Sequence, residues 1–246
     1  GKMKRIVLVQ MIVAIFGATL ARELPEFIHV CKRTDPNISN CIKESIENFR
    51  PYLKNGVPDY NIPPLEPLQL DELTATLGGN VKMNLQDVLV YGASNFSLKE
   101  SNVDTLTFIG DLYVPTLAIE GKYDADGKIL LLRIRGKGEM FGNFTDCKGH
   151  VKVQAEKRME KDGTTGVRVV EIKVKIAVGK GKLRLTNLFG GDSVLGQAIN
   201  DVINSNFNAF LHELQPYLES AISNTFVKIG NSIVSQFPYD VLFPES

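Results

Sequence analysis

The chain reads as an α+β protein: one long C-terminal α-helix wrapped by a highly curved antiparallel β-sheet, with a short helix ahead of the sheet. Two observations predict this. From Ser193 to Phe237 apolar residues recur every three or four positions, at Leu195, Ile199, Ile203, Phe207, Phe210, Leu214, Leu218, Ile222, Phe226, Ile229, Ile233 and Phe237. That is the spacing of one helix face. From Leu68 to Phe189 the period is two, so each strand has one dry and one wet face, as in antiparallel sheet. Such a sheet, followed by such a helix, buries both apolar surfaces most economically by rolling around the helix.

At the N-terminus, Lys2, Lys4 and Arg5 precede the apolar run Ile6 to Leu20, and Thr19-Leu20-Ala21 supplies a cleavage site. This is the layout of a secretory signal peptide over residues 1–21. The run is short for a membrane span, and a retained N-terminal anchor is the alternative. Residues 22–246 then form a single domain. Secretion favours a disulfide between Cys31 and Cys41, which closes a small loop. It leaves Cys147 as a buried thiol or an intermolecular link. The sequons at Asn37, Asn95 and Asn143 fit glycosylation of a secreted chain.

A short helix starts at Ser39 or Asn40 with Ile42, Ile46, Phe49 and Leu53 at helical spacing, and Pro51 and Asn55-Gly56 bend and end it. The segment Asn61 to Pro67 is extended, because its prolines exclude helix. The strands follow. Val81, Met83 and Leu85 share a face, as do Leu106, Phe108, Leu112 and Val114. Leu117, Ile119 and Tyr123 oppose Glu120 and Lys122; Leu130, Leu132 and Ile134 oppose Arg133 and Arg135. Val151, Val153 and Ala155 alternate with charge, and Val170, Ile172, Val174 and Ile176 form a further dry face, before Leu183 and Leu185. Asp124-Ala-Asp-Gly127, Lys161-Asp-Gly163 and Gly179-Lys-Gly181 read as hairpin turns. Glycines inside the runs predict bulges or sharp coiling. Asp192 or Ser193 caps the long helix. Unbroken it would extend about 65 Å, and Pro216 predicts a bend or two consecutive helices.

Composition excludes several functions. The 246 residues carry 28 basic and 28 acidic side chains. Losing Lys2, Lys4 and Arg5 with the leader leaves 25 against 28, and neither balance suggests nucleic acid. His29, His150 and His212 are scattered and outside any metal spacing. Gly191-Asp192-Ser193-Val194 resembles the start of a GDS-type serine hydrolase, but no Asp-x-x-His follows and Ser193 sits where a cap belongs. We therefore expect no catalytic residues, no metal and no cofactor. A roll of long strands around one helix need not fill, and the remaining space is an elongated apolar cavity suited to a lipid-like guest.

The chain resembles the insect Takeout and juvenile-hormone-binding proteins from about Leu24 to Pro244. The residues that carry the resemblance are Cys31 and Cys41, Phe49-Arg50-Pro51, the segment Ile62 to Leu68, Leu188-Phe189-Gly190-Gly191-Asp192, and the tail Phe237 to Pro244. Hormone-binding members have a second disulfide; with Cys147 lacking a visible partner, the chain looks closer to Takeout. The resemblance implies the super-roll and secretion into haemolymph or a similar fluid. It also implies an internal tunnel for a hydrophobic ligand: a terpenoid, fatty acid or quinone-like molecule, or juvenile hormone. Some members of the family are tied to circadian rhythm. The expected partner is this small molecule, bound by a monomer without nucleic acid or stable membrane insertion.

The expected ligand wall on the helix is Phe207, Phe210, Leu211, Leu214 and Leu218. On the strands it is Met83, Phe108, Leu117, Ile119, Tyr123, Leu132, Ile134 and Val174. Tyr123 either offers its hydroxyl to a polar ligand end or turns it to water. His212 and Glu213 are expected at the surface. The competing readings are an interaction module with a filled core that binds a receptor or membrane surface, and a secreted hydrolase using Ser193.

Overall fold

The computed structural model describes residues 24–77, 81–104, 106–129 and 132–245; the predicted signal peptide lies outside them. Seven antiparallel strands form one sheet: β1 (Leu68–Gln69), β2 (Leu73–Leu77), β3 (Val81–Tyr91), β4 (Ser97–Asp104), β5 (Thr107–Ile129), β6 (Leu132–Met159) and β7 (Thr165–Leu185). The main path is β1-β3-β5-β6-β7, with β2 also on β3 and β4 also on β5. The helices are α1 (Ile38–Asn55), α2 (Ser193–Ser205), α3 (Phe207–Val234) and the short α4 (Tyr239–Leu242).

The strands are longer than the sequence suggests. β5, β6 and β7 contain 23, 28 and 21 residues. Two expected turns are therefore corrected. Asp124 to Gly127 lies inside β5, paired with Lys137 to Ile134 of β6. Gly179 to Gly181 lies inside β7, where Lys180 pairs with Thr145. Gly181 is there for close approach: a Cβ would stand 2.1 Å from the Phe207 ring. Lys161-Asp162-Gly163 does turn, between β6 and β7, with Gly163 at φ 85° and the Asp162 carboxylate accepting from the Thr164 N–H and hydroxyl.

A crease crosses these three strands. Alternation requires inward residues two apart, yet at the crease they are three apart. Val114, Cys147 and Val178 pair across the strands and face inward; so do Leu117, Phe144 and Gly181. Between them stand Pro115, Asp146 at φ 55° and Gly179. A Cβ on Gly179 would meet Asp146 Cβ at 2.7 Å. Pro115 falls where β5 has left β4, whose pairing ends at Tyr113, and has not reached β3, whose pairing begins at Ala118. A missing N–H is tolerated in such a gap. A second slip, between Gln154 and Ala155, corrects the β7 pattern: Val170 is 48 % exposed, and Val169 takes the inward place beside Ile172 and Val174.

The C-terminal helix is two helices, but the break is at Asn206, not Pro216. Asn206 has φ −119°, and its N–H turns back to the Ile203 and Val202 carbonyls. Pro216 is exposed inside α3, which continues for 28 residues. The proline costs about 3 kcal/mol, less than burying Phe210, Leu214 and Ile229 returns at about 1.5–3 kcal/mol each. Asp192 caps α2, its carboxylate accepting from the Val194 and Leu195 N–H groups at 3.0 and 2.9 Å. The first stripe residues do not reach the core: Val194 is 77 % exposed and Leu195 half so. At the other end the Cys31–Cys41 disulfide forms. Arg33 holds the tail through Asp240 and Glu245, and Phe237 stacks on Tyr60.

Candidate functional site

The candidate site lies between α3 and the sheet, and polar groups fix where α3 lies. β7 is the last strand of the sheet path, so one row of its peptide groups lacks a strand partner among the described residues. Helix side chains take that place. Asn231 accepts from Val169 N–H at 2.9 Å and donates to Val169 C=O at 3.0 Å. Asn204 does the same for Leu183 at 2.7 and 2.8 Å, and Asn200 for Leu185 at 2.8 and 3.0 Å. At Ile176 the work is divided: Glu219 accepts from its N–H and Gln215 donates to its C=O, each at 3.0 Å. Four β7 residues thus pair with helix side chains as they would with another strand, which protects an edge otherwise open to association.

The opposite flank of α3 meets the other margin of the sheet. Tyr217 donates to the Thr76 carbonyl of β2 at 2.8 Å, and Lys228 pairs with Asp71 at 2.6 Å. The helix therefore spans from β7 to β2 and closes the roll, while its remaining face looks inward.

That interior has two zones. Before the crease, Met83, Leu85, Tyr123, Ala125, Met140, Leu183 and Leu185 pack with Ile199, Ile203, Phe210 and Leu214 in one buried cluster. Beyond it, Val169, Ile172 and Val174 form a smaller buried cluster, flanked by Val151, Val153, Ile176, Ile222, Phe226, Val227 and Val234. All seven flanking residues are only half-buried, as are Phe108, Leu112 and Val114 on the same sheet face. Phe226 packs against both clusters. Apolar side chains on a concave face that stay half-accessible are the lining expected of a cavity rather than of a filled core.

The predicted ligand residues divide between the zones. Met83, Tyr123, Phe210 and Leu214 are in the first cluster, with Leu117, Ile119 and Leu218 packed against it. Phe207 is buried near Phe144, ring centroids 5.8 Å apart. Val174 is in the second cluster, Phe108 pairs with Val153 beside it, and Leu211 is half-buried. Leu132 and Ile134 belong to β6, but their side chains lie outside the described residues. Sequence reasoning left Val151, Val153, Ile176, Ile222, Phe226, Val227 and Val234 off the site; the β alternation and the helix stripe carried the signal for all but Val227 and Val234.

Among the described residues, Tyr123, Glu219 and Thr225 bring polar groups into the interior. Tyr123, 1 % exposed, directs its hydroxyl neither to water nor into open space: it donates to Thr186 C=O at 2.6 Å. Burial, with Asp124 nearby, pushes its pKa up to about 12. Glu219 is 6 % exposed. Burial pushes its carboxyl up, but hydrogen bonds from Lys175, Gln215 and the Ile176 N–H outweigh that and hold it below the usual range. Thr225 is 7 % exposed, and its hydroxyl has no hydrogen-bond partner among the described residues.

Elsewhere the chemistry is occupied. The Cys31 and Cys41 sulfurs near His29 are spent on their disulfide. His150 pairs with Asp111 at 2.7 Å on the outer face, His212 and Glu213 are exposed, and Ser193 lies exposed in the first turn of α2. A surface depression of about 570 Å³ is lined by Gln69, Leu70, Asp71, Glu72, Gln86 and Asp87. Its carboxylates are taken by Lys228, by Asn84 with Gln86, and by Lys122. Cys147 is buried with its thiol pushed up to about 11, chiefly by burial. Asn37, Asn95 and Asn143 are all exposed.

Residues 7–244 match the family described as Haemolymph juvenile hormone binding protein. The circadian clock-controlled protein daywake of Drosophila melanogaster is 28 % identical over 233 residues, 89 % of this chain and 88 % of that one. Its Drosophila yakuba counterpart is 27 % identical over 226 residues, 86 % of each. The crystal structure of Epiphyas postvittana Takeout 1 superposes with a TM-score of 0.77 at 22 % identity, covering 88 % of this chain and all of that one.

Proposed function

The chain belongs to the haemolymph juvenile hormone binding protein family, whose members bind hydrophobic small molecules, and on that premise we propose that it is a secreted, non-enzymatic carrier of a long apolar ligand. The ligand lies between α3 and the sheet, and desolvation supplies most of its affinity. The observation that carries this reading is the row of half-accessible apolar side chains beyond the crease: Val151, Val153, Ile176, Ile222, Phe226 and Val227. A core packed to ordinary density would bury them.

In this reading residues 1–21 are a leader removed on secretion, residues 22–246 are one unit, and the exposed Asn37, Asn95 and Asn143 accept glycans. The wall comprises Phe108, Leu117, Ile119, Leu211, Leu218 and Val174 together with the six residues above. Phe207, Phe210, Leu214, Met83 and Tyr123 form its packed floor. The ligand is a terpenoid, a fatty acid or a quinone-like molecule.

The test is native mass spectrometry of delipidated protein titrated with fatty acids, terpenoids and quinones. Saturable one-to-one adducts at micromolar ligand are expected. No adduct with any class would end the carrier reading.

A further inference from the structure

Charge on the outer face of the sheet is segregated by sign. On β7, buried Ile172, Val174, Leu183 and Leu185 alternate with exposed Lys173, Lys175, Lys182 and Arg184, and exposed Lys180 stands between them at the crease. On β6, exposed Lys148 and half-buried Lys152 share that outer face, opposite Ala177 and Lys173. Residues 141–154 and 171–184 together carry these seven cations against two acids, Asp146 and Glu171. Taking them from the 25 basic and 28 acidic side chains of residues 22–246 leaves 18 against 26. One face is thus basic on a chain that is acidic elsewhere.

Two features separate this face from an ordinary solvated one. Elsewhere the sheet sets opposite charges across strands: Lys122 faces Glu139, Asp124 faces Lys137 and Asp126 faces Arg135. Here Lys152 faces Lys173, and like charges directly opposite destabilise a sheet. Glu171 relieves Lys173 and Glu219 relieves Lys175. Lys148, Lys152, Lys180, Lys182 and Arg184 have no acidic partner among the described residues. The second feature is an apolar ring at the end of the ladder: Phe141, 38 % exposed, lies opposite Arg184. From Lys173 to Arg184 the cations extend along about 36 Å of strand, at about 3.3 Å per residue.

We propose that the outer face of β6 and β7 docks on a membrane surface rich in anionic lipid. Lysine, the main cation here, is a compact hydrated charge without the planar fork that arginine uses on a single phosphate. A spread of such charges suits the diffuse field of many headgroups, and an exposed apolar ring beside them suits the headgroup boundary. No helix among the described residues is long and apolar enough to cross a membrane, so the contact is peripheral. Asn143 lies opposite Lys182 on this face. A glycan there would hold a bilayer away, so the chain that docks is the one without it. Docking of this kind goes beyond the carrier reading and needs no ligand in the interior.

The test is cosedimentation of the unglycosylated chain with vesicles of phosphatidylcholine alone and of equal parts phosphatidylcholine and phosphatidylserine. Binding to the mixed vesicles, weakened by salt, and little to the neutral ones is expected. A cation near an anionic leaflet strengthens binding about fivefold, so Lys148→Gln, Lys180→Gln and Lys182→Gln together should weaken it about a hundredfold. Lys32→Gln, Lys54→Gln and Lys128→Gln together remove the same charge from exposed sites away from this ladder and should change it little. No binding to either vesicle overturns the proposal, as does equal binding to both or an equal loss in the two triple variants. Retention on heparin without binding to vesicles overturns it too, and assigns the face to an acidic polymer. None of these results bears on the carrier reading, which the adduct titration tests separately.

Discussion

The contact that should matter most for keeping α2 on the sheet is the Asn204 amide, and its removal is measurable. Oδ1 accepts from Leu183 N–H at 2.7 Å; Nδ2 donates to Leu183 C=O at 2.8 Å and to Asn200 C=O at 2.9 Å. Leu183 is buried and Asn204 half-buried. Asn204→Leu leaves both peptide groups of Leu183 without a partner. An orphaned buried group costs about 1–3 kcal/mol, and partial access of water favours the lower half of that range, so the pair should cost about 2–4 kcal/mol. For a chain of this length each kcal/mol moves the midpoint about 2–4 °C, giving a fall of about 4–16 °C by circular dichroism. Asn206→Ala is the control. Asn206 stands at the break after α2, and its amide donates to Val202 C=O of α2 with no strand partner among the described residues, so the loss should stay below about 1 kcal/mol. Equal midpoints for the two variants would show that the amides do not hold the strand edge.

Tyr123→Phe orphans Thr186 C=O and should cost about 1–3 kcal/mol. The folded chain keeps the Tyr123 proton to about 12, whereas an unfolded tyrosine releases it near 10. The folded state therefore binds more protons between these values, and stability falls as pH rises through that window; the fall should be shallower in Tyr123→Phe, read from urea midpoints. Cys147, buried and pushed up to about 11, should resist a thiol reagent at pH 8 and react at once in denaturant; fast native labelling would contradict its burial. Gly181→Ala places a Cβ 2.1 Å from the Phe207 ring and should cost about 1–3 kcal/mol by overpacking, with Gly149→Ala, also in a strand and meeting only Leu112 Cβ at 3.8 Å, isolating the backbone part.

The order of elements, the helix stripe and the disulfide could be read from local signals, because periods of 3.6 and 2 and a short cysteine spacing need no partner to be visible. What could not be read was which strand segments join. Pro115, Gly127, Gly179 and Gly181 look like punctuation in one dimension. In the sheet, Pro115 sits in a gap between β4 and β3, Gly179 gives way to Asp146, and Gly181 admits an aromatic ring. Only three strands in register reveal that the alternation slips at one level across all of them. The same slip separated residues that the sequence had grouped: Phe108 and Ile119 lie on opposite sides of the crease, beside different clusters.

The edge amides bear on how the helix keeps its place whether or not the interior is filled. A helix held only by its apolar face must interdigitate with the sheet, since each gap forfeits contact. Here α3 is held at its flanks, by Asn231, Glu219 and Gln215 with Asn204 of α2 along β7 and by Tyr217 and Lys228 near β2. These bonds fix the distance of α3 from the sheet whether or not the space between is filled. Ile222, Phe226 and Val227 then need not reach Val151 and Val153 for the helix to stay in place. The sequence carried this too, in Asn200, Asn204 and Asn231 beside the apolar stripe of the two helices. An asparagine in a helix reads as surface until a strand edge is found beside it.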